Sequence, residues 1–266
     1  MNNTDFLQIN KIAKVHNDKN IIFCKTDFIV EELKEISKKN YDVVLITGNS
    51  DYSITEELAE LAPPNIKSWY CQNALAQKNI IVPMPIGIEN KLECERSGHG
   101  IGYKSRVQEK EDILNSLSFI KETNKFIYCN YNIETNPHYR GRLFSKIKNI
   151  KHIHWEEPKL SLSSVFKKFS EYKMVLSPIG NGVDTHRLWE VLYCGSIPLT
   201  IKVGNYKIYE LYEKLPIIIL DDMDCLENKN FLEEQYEIAK NKIYNKEILT
   251  TQYWKEKIKN SINTGA

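Results

Sequence analysis

The stretch Tyr172-Lys-Met-Val-Leu-Ser-Pro-Ile-Gly-Asn-Gly-Val-Asp-Thr-His-Arg-Leu-Trp-Glu-Val-Leu-Tyr-Cys-Gly-Ser-Ile-Pro-Leu-Thr200 decides how the rest of the chain is read. Its apolar start, Met174–Ser177, has the continuous hydrophobicity of a strand buried on both faces. A loop with Gly180 and Gly182 follows, and glycines there let a ligand approach the backbone closely. Leu188, Val191 and Leu192 then mark one face of a helix over 184–194, with Asp184 as its expected N-cap. Gly195 ends that helix, and Ile197-Pro198-Leu199 opens the next strand. His186 and Glu190 are i, i+4 and Arg187 and Glu190 are i, i+3, so the three project together in the first two turns. A carboxylate there can accept the two hydroxyls of a ribose. An arginine or histidine there can pair with phosphate beside the free N–H groups of the helix start. A glycine-rich turn with a Glu–Arg pair also serves purely structural ends in many α/β proteins, so pattern alone leaves both readings open.

The same grammar extends in both directions. Strands are expected at Asn20–Cys24, Tyr41–Thr47, Ile66–Cys71, Asn79–Met84, Lys125–Tyr131, Ile150–His154, Tyr172–Ser177, Ile197–Ile201 and Pro216–Leu220. Helical spacing falls between them at 27–39, 54–61, 138–149, 161–170, 184–194 and around Ile208–Tyr212. Strict alternation of this kind predicts parallel, doubly wound sheets. The polar stretch Asn90–Arg106, with Gly98, Gly100 and Gly102, reads as a linker. The predicted architecture is therefore α/β and two-lobed, with Rossmann-like parallel sheets and a cleft between them. A compact N-terminal lobe over 1–100 is followed by a second lobe over 101–230. A charged helical tail over 231–266 is expected to pack back on the first lobe.

The 266 residues allow one large domain or two small ones, and a hydrophobic fraction of 42% is enough to build a core. Lys and Arg number 36 against 35 Asp and Glu, so the net charge of +1 gives no general attraction to nucleic acid or anionic membrane. A local basic site is not excluded by that balance. Six cysteines, none in a C-x-x-C pair, read as reduced core residues rather than a zinc ribbon or redox dithiol. No signal peptide is visible and no apolar run approaches the ~20 residues of a membrane span. A cytoplasmic location follows as an expectation, compatible with peripheral association at the inner face of a membrane.

The string from Gly180 to Pro198 resembles the donor-site signature of exostosin-like, family 47-type glycosyltransferases and their bacterial and viral relatives. That resemblance implies a GT-B fold whose C-terminal lobe holds a nucleotide-diphosphate sugar. It implies Glu190 on the donor ribose, and Arg187, Asp184 and the Gly180-Asn181-Gly182 loop on diphosphate or sugar, with His186 beside them. The α1,3-fucosyltransferases carry a comparable segment, but their Glu-Asn-Ser and Tyr-Val-Thr-Glu-Lys words are absent, which makes GDP-fucose a weaker alternative. In a GT-B donor lobe the loop after the first strand faces the pyrophosphate. Here that is Asn132–Arg142, and Arg140 and Arg142 at the start of the next helix are candidates to neutralise the leaving group, or else ordinary solvated arginines. Such enzymes usually rely on cations and helix dipoles rather than a metal, so no cofactor beyond the donor substrate is expected. Asp222-Met223-Asp224 reads as an acidic turn, and His152 and His154 alone do not make a metal site.

An inverting transfer needs a general base. Asp51, in the loop after the strand Tyr41–Thr47, is the first candidate, with helix capping as its plainer role. Glu89, in Pro83-Met-Pro-Ile-Gly-Ile-Glu-Asn90, is the second, and His16 the third. The function implied is sugar transfer from a nucleotide-diphosphate donor to a glycan or lipid-linked acceptor, as in polysaccharide biosynthesis, inverting and metal-independent, with no nucleic acid partner. A non-catalytic nucleotide- or glycan-binding module that keeps the donor lobe is the alternative.

Overall fold

A computed structural model describes residues 5–13, 18–89, 104–117 and 123–263. The expected strands form two wholly parallel sheets. The first holds β1 (Ile21–Lys25), β2 (Val43–Gly48), β3 (Ile66–Cys71) and β4 (Ile81–Pro83), in the order β1-β2-β3-β4. The second holds β5 (Ile127–Cys129), β6 (Ile153–Trp155), β7 (Met174–Leu176), β8 (Ile197–Ile201) and β9 (Ile218–Leu220), in the order β6-β5-β7-β8-β9. The chain is thus an α/β protein with two Rossmann-like lobes, each built on a parallel sheet.

Strand order dictates what covers each sheet. In the first sheet every crossover steps the same way, so right-handed connections put its helices on one face. There Ile29, Leu33 and Ile36 of α2 (Ile29–Ser37) pack with Val43, Leu45 and Trp69. The opposite face carries Val44, Ile46 and Tyr70 and must be covered from elsewhere. The C-terminal helix α10 (Thr251–Asn263) does this with Trp254 and Ile258, helped by α1 (Ile9–Ala13). Tyr70 Oη lies 2.6 Å from Ser261 Oγ across that contact.

In the second sheet the order reverses at β5, so helices cover both faces. Leu143 and Ile147 of α5 (Pro137–Ile147) and Leu232 of α9 (Lys229–Lys240) pack on Ile127, Cys129, Met174 and Leu176. Phe166 and Phe169 of α6 (Leu162–Glu171) and Leu188 and Val191 of α7 (His186–Tyr193) pack on Tyr128 and Val175. Cys24, Cys71, Cys129 and Cys194 are free and buried, and burial pushes the Cys24 thiol up to about 12.

One element was not expected. The linker predicted over Asn90–Arg106 lies outside the described residues as far as position 103, and its last three residues open α4 (Lys104–Ser116). His16 and Cys94 also lie outside the described residues. The buried residues of α4 are Val107, Lys110, Glu111 and Leu114. That is an i, i+3, i+4, i+7 stripe with two charged side chains at its centre. Glu111 accepts from Gln8 at 2.6 Å and pairs with Lys11 at 2.9 Å, tying α4 to α1, while α4 also packs on α6.

Candidate active site

In an open parallel sheet, ligands bind beyond the carboxyl ends of the strands, at the point where strand order reverses. In the second sheet that point lies between β5 and β7. The chain leaves β5 through Asn130, Tyr131 and Asn132, and leaves β7 through Ser177–Gly182 into α7. Arg187, in the first turn of α7, reaches back over the switch point. Its Nη1 donates to Asn130 Oδ1 at 2.6 Å, and its guanidinium lies 5.3 Å from the centre of the Phe169 ring. Burial pulls its pKa below the usual arginine value. Among the described residues no carboxylate forms an ion pair with it.

Arg140 lies beside it, also without an ion pair among the described residues. Its Nε donates to Ile179 O and its Nη1 to Asn132 O, both at 2.8 Å, and its Nη2 lies 3.5 Å from Pro178 O. The two loops of the switch point are therefore stapled together by one guanidinium. Burial first, then the charge of Arg187, pulls Arg140 down to about 10. Asn136 adds a second staple, donating to Gly180 O at 2.8 Å while its Oδ1 caps α5 at Tyr139 N. The helix thus begins at Pro137, and Arg140 and Arg142 sit in its second turn rather than at its start. Residues two apart on a helix point about 200° apart. Arg140 accordingly points inward and Arg142 is exposed to solvent.

Asp184 corrects the expected cap. The N-cap of α7 is Thr185, which makes no side-chain cap bond. The Asp184 carboxylate is buried and accepts from Ile86 N at 2.7 Å, Trp189 Nε1 at 2.8 Å and Tyr212 Oη at 2.8 Å. It therefore joins the two lobes instead of facing a ligand. Burial raises its pKa to about 6 despite those three donors. Beside it, Asn73 accepts from Asp184 N at 2.9 Å and donates to Ser50 O at 3.2 Å. Gly182 presses on this asparagine: a Cβ there would stand 2.6 Å from Asn73 Oδ1. Asn73 and Asn49, which end β3 and β2, take positive φ values of 49° and 56°, a region asparagine tolerates better than most residues.

The first lobe supplies acids to the same seam. Asp51 is exposed and accepts from Asn181 Nδ2 at 3.1 Å, which sets it against the glycine loop. It does not cap the following helix, because Thr55 accepts from Leu58 N there. His186 Nδ1 lies 2.8 Å from Gly87 O, and since a carbonyl only accepts, that nitrogen carries the proton. Its Nε2 is 3.7 Å from Glu89 Oε1. Glu190 Oε1 lies 2.6 Å from Lys110 Nζ, and Glu89 Oε2 lies 3.1 Å from the same nitrogen.

Nothing in the sequence marks Lys110, since a lysine in a polar, charged segment gives no periodic signal. The structure thus brings Asp51, Glu89, Asn181, Gly182, His186, Arg187 and Glu190 to one seam, with Gly180 and Arg140 bracing it. The acidic turn lies elsewhere: Asp222 Oδ1 accepts from the N–H groups of Asp224 and Cys225, and Asp224 pairs with Lys146. His152 Nε2 lies 2.9 Å from Leu226 O, and the His154 ring stacks on Tyr128. Among the described residues no three His, Cys, Asp or Glu side chains group as a metal site.

No protein-family model matches the chain, and no curated protein matches it. Among solved structures it is similar to the UDP-GlcNAc 2-epimerase of Methanocaldococcus jannaschii, at 14% identity over 97% of this chain and 80% of that one, with a TM-score of 0.40. It is similar to an α1,3-fucosyltransferase with GDP-fucose, at 12% identity over 98% of this chain and 95% of that one, with a TM-score of 0.41. The wall teichoic acid polymerase TagF is a further likeness, at 12% identity over 92% and 89% of the two chains and a TM-score of 0.25. These likenesses are too distant to assign a substrate or an activity.

Proposed function

We propose that the chain is a glycosyltransferase that moves a sugar from a nucleotide-diphosphate donor to a glycan or lipid-linked acceptor, with inversion. One observation carries the reading. The buried Arg140 and the half-buried Arg187 lie side by side at a topological switch point with no ion pair among the described residues, and such a pair fits a ligand bearing concentrated negative charge. The resemblance of Gly180–Pro198 to exostosin-like transferases supports the same site. Residues 101–230 then form the donor lobe, 1–100 the acceptor side, and 231–266 the tail.

Arg187 and the uncapped N-terminus of α7 face the diphosphate. Gly180 lets it approach the backbone, whereas the space beside Gly182 is taken by Asn73. Glu190 holds ribose hydroxyls. As the acceptor oxygen attacks the anomeric carbon, the bond to the diphosphate breaks with its electron pair leaving on the phosphate oxygen. The acceptor proton passes to a carboxylate. Asp51 is placed first for this, being exposed and bonded to Asn181 of the donor loop. Glu89 is committed to Lys110 and stands second. Arginines rather than a metal stabilise the leaving group in this scheme.

Thermal-shift measurement against UDP, GDP, CDP and ADP tests the reading. One of them at 100 times its Kd should stabilise the wild-type protein by about 2.7 kcal/mol, and at the same concentration Arg187→Met should cut the shift to below about 1 kcal/mol. Stabilisation by none of them would overturn it, and hydrolysis or transfer across a panel of nucleotide sugars separates an enzyme from a binding module.

A further inference from the structure

Lys110 is 4% exposed and stands where three segments meet. Its Nζ lies 2.6 Å from Glu190 Oε1 on α7, 3.1 Å from Glu89 Oε2 at the end of the first lobe, and 2.7 Å from Ile88 O. An ammonium has three N–H donors, and all three are used. Burial pulls this lysine down, but the charges of Glu190 and Glu89 outweigh it and hold the ammonium above the usual lysine value. The group therefore stays charged, as a bolt between two carboxylates from different lobes. Among the described residues Lys110 makes the one ion pair with the Glu190 carboxylate, on Oε1 only, while Arg187 one turn earlier feels its charge without pairing with it.

We propose that Lys110 is a positioning residue for Glu190. It fixes one carboxylate oxygen so that the other is presented to the ligand, and it ties that presentation to the seam between the lobes. The proposal rests on the reading of Glu190 as the ribose ligand. Its physical basis is simple: without the ammonium, two carboxylates share a buried site, and like charges drive them apart. A Glu190 that turns away, or that takes up a proton, loses its aim at a ribose hydroxyl.

Ribose recognition supplies a readout that mere folding does not move. Affinities of UDP, GDP, CDP and ADP and of their 2′-deoxy forms are measured by calorimetry for wild type, Glu190→Gln, Lys110→Met and Lys110→Gln. Wild type should prefer the ribo form of the nucleotide it binds by roughly ten- to a hundredfold, the size of one hydrogen bond to a charged group. Glu190→Gln should flatten that preference. Lys110→Met should flatten it as far, although Glu190 is intact, and the double variant Lys110→Met/Glu190→Gln should lose no more. Lys110→Gln keeps donors at the site and serves if the methionine variant does not fold; it should fall between wild type and Glu190→Gln. Full ribo preference in either lysine variant, with the preference lost in Glu190→Gln, overturns the positioning role and leaves the proposed function standing. No ribo preference in wild type overturns the ribose role of Glu190 and the positioning role with it. Absence of any nucleotide binding overturns the proposed function itself.

Discussion

The two lobes solve the same packing problem with different consequences. The first sheet runs β1-β2-β3-β4 without reversal, so it has no switch point and borrows α10 to cover its second face. The second sheet reverses between β5 and β7 and covers both faces itself, and a reversal of this kind is where ligands bind in open parallel sheets. The charges follow that division. At the seam the second lobe presents Arg140 and Arg187, held by carbonyls and an amide, whereas the first lobe presents Asp51 and Glu89. Under the proposed function, the sheet with a switch point is the one that would house the ligand's charge. The sheet without one would lend it carboxylates across the seam.

The sharpest way to break this comparison is Arg187→Met. If the second lobe alone meets the diphosphate, the substitution should cost about 2–5 kcal/mol of nucleoside diphosphate affinity. The empty protein should lose little stability, because the half-buried charge removed forms no ion pair among the described residues. Calorimetric titration beside urea denaturation checks both halves. A variant that binds normally but unfolds early would make Arg187 a structural residue.

Asp184 tests the seam itself. Asp184→Ala strands Trp189 Nε1, Tyr212 Oη and Ile86 N–H, and should cost about 2–4 kcal/mol in urea denaturation. The pH dependence carries a definite sign. The folded pKa of about 6 stands above the ordinary 3.8. Asp184 therefore contributes fully below about pH 4, and that contribution is lost as pH rises through about 6. Wild-type stability measured against Asp184→Asn should fall by roughly 1–3 kcal/mol between pH 4 and 6. A difference that stays flat or grows across that window would mean the carboxylate is not desolvated as the fold places it.

These residues also show where the sequence was legible. The runs Ile197–Ile201 and Ile66–Cys71 were readable to the residue, because the first is buried throughout and the second keeps Trp69, Tyr70 and Cys71 buried beyond the exposed Lys67. The i, i+3 and i, i+4 spacing of His186, Arg187 and Glu190 likewise survives folding on α7. Other roles were hidden, since they depend on partners remote in the chain. Asp184 looks like a cap until Ile86 and Tyr212 arrive from other segments. Helix α4 escaped notice because Lys110 and Glu111 occupy the middle of its buried stripe, where a periodicity argument looks for apolar residues. What buries them is charge brought by Glu190, Glu89 and Lys11, which spacing within 104–116 cannot announce.

Gly182→Ala probes the fit between lobes at smaller scale. Its Cβ would stand 2.6 and 2.7 Å from the Asn73 amide, which is pinned by Asp184 N and Ser50 O, so about 1–3 kcal/mol of stability should be lost. Gly180→Ala meets only Arg140 Nη2 at 3.3 Å and two methyl carbons farther off, and should cost less than its neighbour two residues on. Equal losses in thermal denaturation would mean that the seam does not ride on Asn73.

Arg142 sets the lower bound. It sits on the solvent side of α5, two residues from the buried Arg140, and the helix turns it away from the carbonyls that hold its neighbour. Arg142→Ala should leave stability within about 0.5 kcal/mol. An exposed charge acts on a diphosphate only through solvent, where a pair contributes on the order of 0–1 kcal/mol and is screened by salt. Nucleotide affinity should therefore drop by no more than roughly fivefold at low salt, and the difference from wild type should vanish near ~0.5 M salt. A larger loss that persists in salt would mean that α5 reaches the ligand directly. The division of labour would then widen, from one arginine on α7 to a two-sided cationic clamp across the switch point.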